Sequence, residues 1–166
     1  ALLAIAAGLE LGIPLSSAIK ALARAKLTDG RLEQKTRRGV LYLDDTYNAN
    51  PDSMEAALHT LRQINGQGRR IAVLGKMGEL GSYAAEGYQR TGTAAGKWAD
   101  ILITVGKEAS AIATSARKAG LGRIHEVEET SAAARMLEQL ARPGDIVLVK
   151  GSRSARMETL FQHIPN

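Results

Sequence analysis

The five residues Lys150-Gly151-Ser152-Arg153-Ser154 combine cations, hydroxyls and a glycine in a pattern typical of an anion site. They follow an apolar run that predicts a strand, and the residues after them predict a helix. The first turn of a helix carries unpaired N–H groups and a partial positive charge. Two cations and two hydroxyls at such a helix start favour a carboxylate or a phosphate as the ligand. The alternative is an ordinary helix start with solvated basic residues.

A pair of carboxylates, Asp44 and Asp45, stands at the end of another apolar run. Asp52 follows in the first turn of a helix that Asn50-Pro51 predicts, with Asn50 as its cap. Carboxylates placed in this way accept hydrogen bonds from ribose hydroxyls or bind a metal ion through bridging water. Aspartate also caps turns, so the residues alone leave the ligand and turn interpretations open.

Other familiar nucleotide and metal motifs are missing from the sequence. The glycine-rich stretch at residues 75–81 lacks the Gly-x-x-x-x-Gly-Lys-Ser/Thr pattern, and no Gly-x-Gly-x-x-Gly follows a predicted strand. There is no cysteine, which excludes disulfides and Cys-ligated zinc. His59, His125 and His163 are widely separated, which favours structural or exposed roles over a shared zinc ion.

The composition is that of a globular protein with a basic front edge. The chain has 166 residues, of which 45% are hydrophobic and 23% charged, and a formal net charge of +5. Seven basic and three acidic residues lie in residues 1–39, a surplus that either attracts phosphates or is simply solvated. With 4% aromatic residues there is little material for base stacking, so we expect no nucleic-acid partner. No apolar run approaches the roughly 18 residues of a membrane span.

Two helices, then an alternation of strands and helices, are predicted along the chain. The first helices cover residues 1–11 and 14–24, the second capped by Ser16 or Ser17, and a turn with a domain boundary follows at residues 28–30. A hairpin at residues 32–37 and 40–43 comes next. The remaining strands are predicted at residues 70–74, 101–105, 124–127 and 145–149. The remaining helices are predicted at residues 51–64, 83–99, 108–119, 131–140 (capped by Thr130 or Ser131) and 153–161.

This order predicts an α/β fold with a mostly parallel, doubly wound sheet, helices on both faces, and a short helical segment in front. Ligands of such sheets bind beyond the carboxyl ends of the strands. Four polar or glycine-rich segments are expected there: residues 44–50, 75–79, 106–107 and 150–154. Because the first helix begins without a cap or an initiator Met, we expect the chain to be a piece of a longer protein.

Four stretches of the sequence resemble motifs of the Mur ligase family, in the family's order. The longest, residues 43–54, is similar to the D-D-[ST]-Y-N-A-N-P-D-S-M motif of the branch that adds D-alanyl-D-alanine. Residues 73–81 are similar to V-L-G-D-M-x-E-L-G, and residues 147–158 to V-L-V-K-G-S-R-x-x-x-M-E. Val105-Gly106 resembles the family's strand-end V-G. Together they extend the resemblance over essentially the whole chain.

The resemblance implies a domain arrangement and a reaction. Residues 1–29 correspond to the last helices of a central ATPase domain, and residues 30–166 to a Rossmann-like C-terminal domain, with a hinge near residues 28–30. ATP would phosphorylate the terminal carboxylate of UDP-N-acetylmuramoyl-tripeptide, and the amine of D-Ala-D-Ala would attack the acyl phosphate, in the bacterial cytoplasm. The phosphate loop, the Mg²⁺ ligands and the UDP-sugar domain would lie upstream. We therefore expect this piece alone to be inactive as a ligase and to bind ATP weakly.

The resemblance also implies which residues bind ligands, and it assigns no catalytic residue to this piece. The nucleotide would be held, with Asp45 at the ribose, by Arg31, Asp45, Tyr47, Asn48 and Asn50. D-Ala-D-Ala or the acyl phosphate would lie near Lys150, Ser152, Arg153 and Ser154. Two residues depart from the family pattern: Lys76 replaces its usual Asp, and Tyr88 stands where it often has His.

Two other functions remain open. A related ligase that adds another amino acid, or that acts in polyglutamate or cyanophycin synthesis, has the same fold but is disfavoured by Tyr47-Asn48-Ala49-Asn50-Pro51. A stand-alone binding module without catalysis is disfavoured by the uncapped start at Ala1.

Overall fold

The protein is described by a computed structural model that covers residues 2–25 and 29–165. The strands are β1 (Glu33–Arg37), β2 (Val40–Asp45), β3 (Arg70–Leu74), β4 (Ile101–Val105), β5 (Ile124–Val127) and β6 (Ile146–Lys150). The helices are α1 (Leu2–Glu10), α2 (Leu15–Ala23), α3 (Pro51–Gln63), α4 (Ala84–Trp98), α5 (Ser110–Lys118), α6 (Thr130–Leu140) and α7 (Leu160–His163). The predicted strands at 70–74, 101–105 and 124–127 are confirmed at both ends, and the other three lie within two residues of their predicted bounds.

The six strands form one sheet in the order β1-β2-β6-β3-β4-β5, which confirms the predicted α/β fold. β1 runs antiparallel to β2, and the other neighbours are parallel. The hairpin turns at Arg38 and Gly39, which both have positive φ, 48° and 75°. Positive φ at both central residues gives a two-residue turn whose twist matches that of the flanking strands.

Helices cover both faces of the sheet. α3, α4 and α5 share one core with Leu148, whereas α6 and α7 share the other with Val147. These neighbours in β6 belong to opposite cores because successive side chains of a strand point to opposite faces. This division of the helices between the two faces follows from right-handed crossovers. The chain crosses the sheet in one direction from β2 to β5, and it returns through α6 in the opposite direction to β6.

The start of α3 is fixed by its own residues. Asn50 is the cap: its side chain accepts a hydrogen bond from Ser53 N at 2.8 Å, and Ser53 Oγ accepts one from Asn50 N at 3.0 Å. Pro51 occupies the first helical position, where a missing N–H leaves no bond unmade. The reciprocal cap holds residues 46–50 close beneath the helix start, beyond the carboxyl end of β2.

The predicted helix at residues 153–161 is wrong. Arg153–Ala155 and Met157–Thr159 form separate 3₁₀ turns, and α7 has only four residues. Arg156 separates the two turns because it adopts a left-handed conformation, with φ 48° and ψ 40°. The chain after β6 therefore does not present the helix N-terminus on which the predicted anion site depended.

Smaller corrections concern the caps and the boundary. Pro14 is the cap position of α2, so Ser16 and Ser17 lie within the helix. Glu129, not Thr130 or Ser131, is the cap position of α6. Of the predicted boundary, residue 28 lies outside the described residues, and residues 29–30 form a turn. Among the described helices, none has both the length and the apolar character that crossing a membrane requires.

Candidate functional site

Asp45 and Lys150 end two neighbouring parallel strands, β2 and β6, and they are partners in the register. The Lys150 ammonium donates to Asp45 Oδ2 at 2.6 Å and to the Asn48 carbonyl at 2.9 Å. Asp45 Oδ1 accepts a hydrogen bond from Leu32 N at 3.1 Å. Lys150 is only 2% exposed, so its charge is compensated inside the protein. The carboxylate thus links the start of β1, the end of β2 and the end of β6.

Asp44 makes different contacts from Asp45 because its side chain points to the opposite face of the sheet. It is buried, and its Oδ1 accepts from Thr46 Oγ1 at 2.7 Å while its Oδ2 pairs with Lys35 Nζ at 2.5 Å. Burial lowers the pKa of Lys35, but hydrogen bonds to Asp44 and Glu33 outweigh it, so that pKa lies above its ordinary value. These contacts favour the turn interpretation for Asp44 and leave Asp45 as the candidate ligand residue.

A cavity of about 400 Å³ opens above the Asp45–Lys150 pair, a size within the range of small-molecule sites. The Arg31 guanidinium lies over the Tyr47 ring, 4.2 Å from its centroid. The predicted nucleotide residues all line this cavity, namely Arg31, Asp45, Tyr47, Asn48 and Asn50, and Lys150 lies there too. We call it the Asp45 cavity.

Arg31 and Leu32, which lead into the sheet, line one wall of the Asp45 cavity, and Gly30 before them packs against the residues after β2. Gly30 has a φ of 69°, and its carbonyl accepts a hydrogen bond from Tyr47 N at 2.9 Å. A Cβ at this glycine would lie 3.1 Å from both Tyr47 N and Thr46 Oγ1. A side chain is therefore disfavoured both by the backbone conformation and by the close approach.

A second cleft of about 500 Å³ lies at the carboxyl ends of β4 and β5 and beside the turns after β6. Its rim includes an ion pair between Lys76 Nζ and Glu108 Oε1 at 3.2 Å. The pKa of Glu108 lies below its ordinary value because its own backbone N–H and then Lys76 hydrogen-bond to the carboxylate. Charged residues of both signs line the cleft, namely Lys76, Glu108, Glu128, Glu129 and Arg156, together with His163. We call it the β4–β5 cleft.

The five residues from Lys150 to Ser154 are divided between the two spaces. Lys150 lines the Asp45 cavity, and Ser154 lines the β4–β5 cleft. Between them, Ser152 is buried, its N–H donates to the Lys76 carbonyl at 2.8 Å, and its hydroxyl lies 3.1 Å from that of Ser154. The Arg153 side chain is 74% exposed. The structure therefore does not bring Lys150 together with Ser152, Arg153 and Ser154 at one anion site.

Several charged residues of the β4–β5 cleft were not predicted as site residues. Glu108 lies just after the predicted segment 106–107. Ligands bind beyond the ends of the strands, so a segment longer by one residue would have included Glu108. Arg156 had no such signal, because the sequence predicts an unbroken helix over residues 153–161, and His163 was expected to be structural or exposed. Tyr88 was noted only as a departure, yet its hydroxyl accepts from Met77 N at 3.1 Å and donates to Met77 O at 3.2 Å.

The described residues do not suit a metal ion held by this chain alone. Within residues 2–25 and 29–165, no three histidine, aspartate or glutamate side chains are grouped as metal ligands. The carboxylates of Asp44 and Asp45 are each paired with a lysine. His59 packs against the edge of Trp98, with ring centroids 5.3 Å apart. Neither space thus presents a group of three such ligands among the residues that the structure describes.

The chain belongs to the Mur ligase family: the model of the "Mur ligase, glutamate ligase domain" matches residues 30–153. The resemblance inferred from the four motifs is thus confirmed. Over 165 residues, the chain is 39% identical to UDP-N-acetylmuramoyl-tripeptide–D-alanyl-D-alanine ligase of Treponema pallidum. It is 37% identical over 165 residues to the protein of that name from Escherichia coli. These similarities cover 96% and 98% of this chain and 35% of each relative.

A solved structure shows the same relationship. The fold matches a MurF ligase from Thermotoga maritima, crystallised in complex with ADP, with a TM-score of 0.81 and 28% sequence identity. The match covers 96% of this chain and 35% of that protein. The chain thus spans about a third of the length of the proteins it resembles.

Proposed function

We propose that this chain is the C-terminal part of an ATP-dependent ligase that joins D-Ala-D-Ala to UDP-N-acetylmuramoyl-tripeptide in the bacterial cytoplasm. The observation that carries the proposal is the similarity to ligases of that name over nearly all of the chain. The two spaces at the carboxyl edge of the sheet are consistent with two substrates. In this role the chain binds nucleotide on one side of β6 and the incoming amine on the other.

The Asp45 cavity is the proposed nucleotide site. Asp45 accepts hydrogen bonds from the ribose hydroxyls, because a carboxylate has more acceptor positions than the two that Leu32 and Lys150 use. Tyr47 and Arg31 offer a flat, cationic surface for the base. Asn48 and Asn50 shape the rim, since Asn48 Oδ1 accepts from Ala49 N and Asn50 caps α3. The ADP in the Thermotoga relative supports a nucleotide in this family.

The β4–β5 cleft is the proposed site of the dipeptide. A dipeptide is a zwitterion, so its recognition needs acceptors for the ammonium and donors for the carboxylate. The cleft supplies Glu128 and Glu129 for the first and Arg156 for the second, and Ser154 lines it as well. Ser152 and Arg153 border the same turn, and from there they contact the acyl phosphate or the dipeptide in the assembled enzyme.

The chemistry proposed is activation of a carboxylate followed by amide formation. The tripeptide carboxylate oxygen attacks the γ-phosphorus of ATP and ADP leaves. The dipeptide amine then attacks the acyl carbon, loses a proton, and phosphate departs with the electron pair of the broken C–O bond. Phosphate leaves far more readily than a carboxylate oxygen would. The task of this chain is to hold the nucleotide and the amine in line and to exclude water from the acyl phosphate.

Residues 1–29 are proposed to be the end of a preceding ATPase domain, and residues 30–166 the C-terminal domain. The first two helices and the turn between them expose large apolar side chains: Leu2 is 83% and Leu3 88% exposed in α1, Leu11 81% in the turn, and Ile19 52% in α2. Such apolar surface on two short helices favours burial against a neighbouring part of the same protein. The hinge is proposed at residues 28–30, directly before the wall of the Asp45 cavity.

The test uses the full-length ligase with each candidate amine in turn. We expect phosphate release that requires ATP, UDP-N-acetylmuramoyl-tripeptide and D-Ala-D-Ala together. Activity with glutamate or a diamino acid, and none with D-Ala-D-Ala, would establish the related ligase instead. The 166-residue chain alone is expected to show no phosphate release and weak ATP binding by calorimetry; tight ATP binding would contradict the division of the nucleotide site between domains.

A further inference from the structure

We propose that Lys150 is a positioning residue of the nucleotide site, not a contact for the dipeptide or the acyl phosphate. It acts by holding Asp45 and the turn at residues 46–48 in the geometry that receives the ribose. The inference rests on the proposed function, and it reassigns a lysine that the motif had placed with the amine substrate.

The geometry of the ammonium carries this assignment. Lys150 Nζ lies 2.6 Å from Asp45 Oδ2 and 2.9 Å from the Asn48 carbonyl, so one cation fixes both a carboxylate and the turn that follows it. Its side chain is 3% exposed and that of Asp45 14%. The carboxylate is therefore the partner that a ligand reaches, and the lysine lies behind it.

The position of Lys150 in the sheet favours the same role. β6 is a central strand, and its last residue faces the Asp45 cavity. The β4–β5 cleft is instead lined by Ser154 and the residues that follow it. Both hydrogen bonds of the Lys150 ammonium go to residues that line the Asp45 cavity, Asp45 and Asn48, and they compensate a buried charge.

Both oxygens of Asp45 have a protein donor, and this fixes the orientation of the carboxylate. Leu32 N donates to Oδ1 and Lys150 Nζ to Oδ2. Removal of the ammonium leaves the carboxylate with one anchor, so it turns toward solvent and the turn at residues 46–48 loosens. The nucleotide then binds to a site that must first become ordered, which lowers the affinity for ATP. The affinity of the amine site for the dipeptide is unchanged.

The experiment compares the steady-state kinetics of four full-length variants. Three are the single variants Lys150→Met, Lys150→Arg and Asp45→Asn, and the fourth is the double variant that combines Lys150→Met with Asp45→Asn. We expect Lys150→Met to raise KM for ATP about tenfold or more while KM for D-Ala-D-Ala changes less than about twofold. Lys150→Arg should restore part of the ATP affinity. The double variant should be no worse for ATP than Asp45→Asn, because a residue that acts through another is non-additive with it.

Lys118→Met is the matched control, since Lys118 is exposed on α5, and it should leave both constants unchanged. Thermal melting of each variant separates misfolding from a local effect. If Lys150→Met does not fold, the double variant still allows KM for ATP to be compared with that of Asp45→Asn, because it contains no unpaired carboxylate at position 45.

Two results would overturn the inference. If Lys150→Met raises KM for D-Ala-D-Ala and leaves KM for ATP unchanged, Lys150 contacts the amine substrate directly, and the nucleotide site itself stands. If Asp45→Asn leaves KM for ATP unchanged, the Asp45 cavity is not the nucleotide site, and the positioning role is lost with it.

Discussion

The guanidinium carbon of Arg31 lies 4.2 Å from the centroid of the Tyr47 ring, so a residue before β1 stacks on a residue after β2. Tyr47 is 45% exposed, which leaves ring surface that a base can cover. A cation over an exposed ring contributes about 0.5–1 kcal/mol. We predict that Tyr47→Ala in the full-length ligase raises KM for ATP by about five- to tenfold, because base stacking and the Arg31 contact are both lost.

Tyr47→Phe is the control for this prediction. It keeps the ring and removes only the hydroxyl, so KM for ATP should stay within about twofold of the wild-type value. Equal losses in the two variants would show that the hydroxyl, not the ring face, contributes to binding. A normal KM in Tyr47→Ala would remove Tyr47 from the nucleotide site.

Asp145 stabilises the opposite end of the sheet and predicts a pH dependence of the free energy of unfolding. Its carboxylate accepts from Arg69 Nη2 at 2.5 Å and from the backbone N–H groups of Arg69 and Arg142. Burial raises the pKa of Asp145, but the hydrogen bonds from Arg69 and Arg142 outweigh it and hold the pKa below its ordinary value. The stability that this carboxylate contributes is therefore present above its unfolded pKa of about 3.9 and is lost as the pH falls through the folded pKa.

Denaturant unfolding of the wild type and of Asp145→Asn at several pH values tests this linkage. We expect the variant to lose about 2–3 kcal/mol at pH 7, since an arginine and two N–H groups lose a charged acceptor. Its stability should also fall less steeply below about pH 4. Glu86→Gln, at an exposed position, is the control and should follow the wild type. Parallel acid profiles for Asp145→Asn and the wild type would contradict the assignment.

The sequence predicts the regular elements well and the path after β6 poorly, for one physical reason. The strands at 70–74 and 101–105 are buried along their whole length and are rich in β-branched residues, which favour a strand. The turns after β6 depend on a long-range contact, because the Met157 side chain occupies the space where a Cβ of Gly75 or Gly151 would lie, 2.6 Å away in both cases. Local propensity favoured a helix there and has no information about that contact.

The same distinction applies to the candidate sites. The residues of the Asp45 cavity from 45 to 50 are neighbours in the sequence and lie at a strand end, so their grouping is predictable from the order of elements. The placement of Lys150 and Ser154 in different spaces is not predictable in this way. It depends on the path of the chain after β6, where Arg156 interrupts the predicted helix. The pairing of Lys76 with Glu108 joins two strand ends 32 residues apart and is likewise a tertiary result.

Tyr88 anchors the glycine-rich loop after β3 to α4, which predicts a stabilising role for its hydroxyl. Burial raises the pKa of Tyr88, and the backbone of Met77 offsets only part of this, so the phenol keeps its proton and donates. We expect Tyr88→Phe to lower the free energy of unfolding by about 1–2 kcal/mol, because it leaves two backbone groups of Met77 without this partner. The shift of the denaturant midpoint measures it.

Tyr83→Phe is the matched control, because Tyr83 is 71% exposed and lies just before α4. Its midpoint should change little. If Tyr88→Phe is as stable as Tyr83→Phe, the two hydrogen bonds contribute nothing and the loop is held by other contacts.

Gly92 lies where α4 packs tightly against α5, and it predicts a reversal of the usual helix propensity. A Cβ at this position would lie 2.4 Å from the Ile112 carbonyl oxygen and 2.5 Å from Ser115 Cβ. In an open helix, Gly→Ala stabilises by about 1 kcal/mol. Here the new methyl meets backbone that cannot move without separating the two helices, so we expect Gly92→Ala to destabilise by about 1–3 kcal/mol.

Gly122→Ala provides the comparison, because a Cβ at Gly122 meets no atom within 4 Å. Urea unfolding of both variants should show a lower midpoint for Gly92→Ala and a midpoint close to wild type for Gly122→Ala. An unchanged slope would show that only stability has changed, and not the compactness of either state. A midpoint for Gly92→Ala at or above that of the wild type would mean that α4 and α5 separate at little cost and that their close packing does not stabilise this face of the sheet.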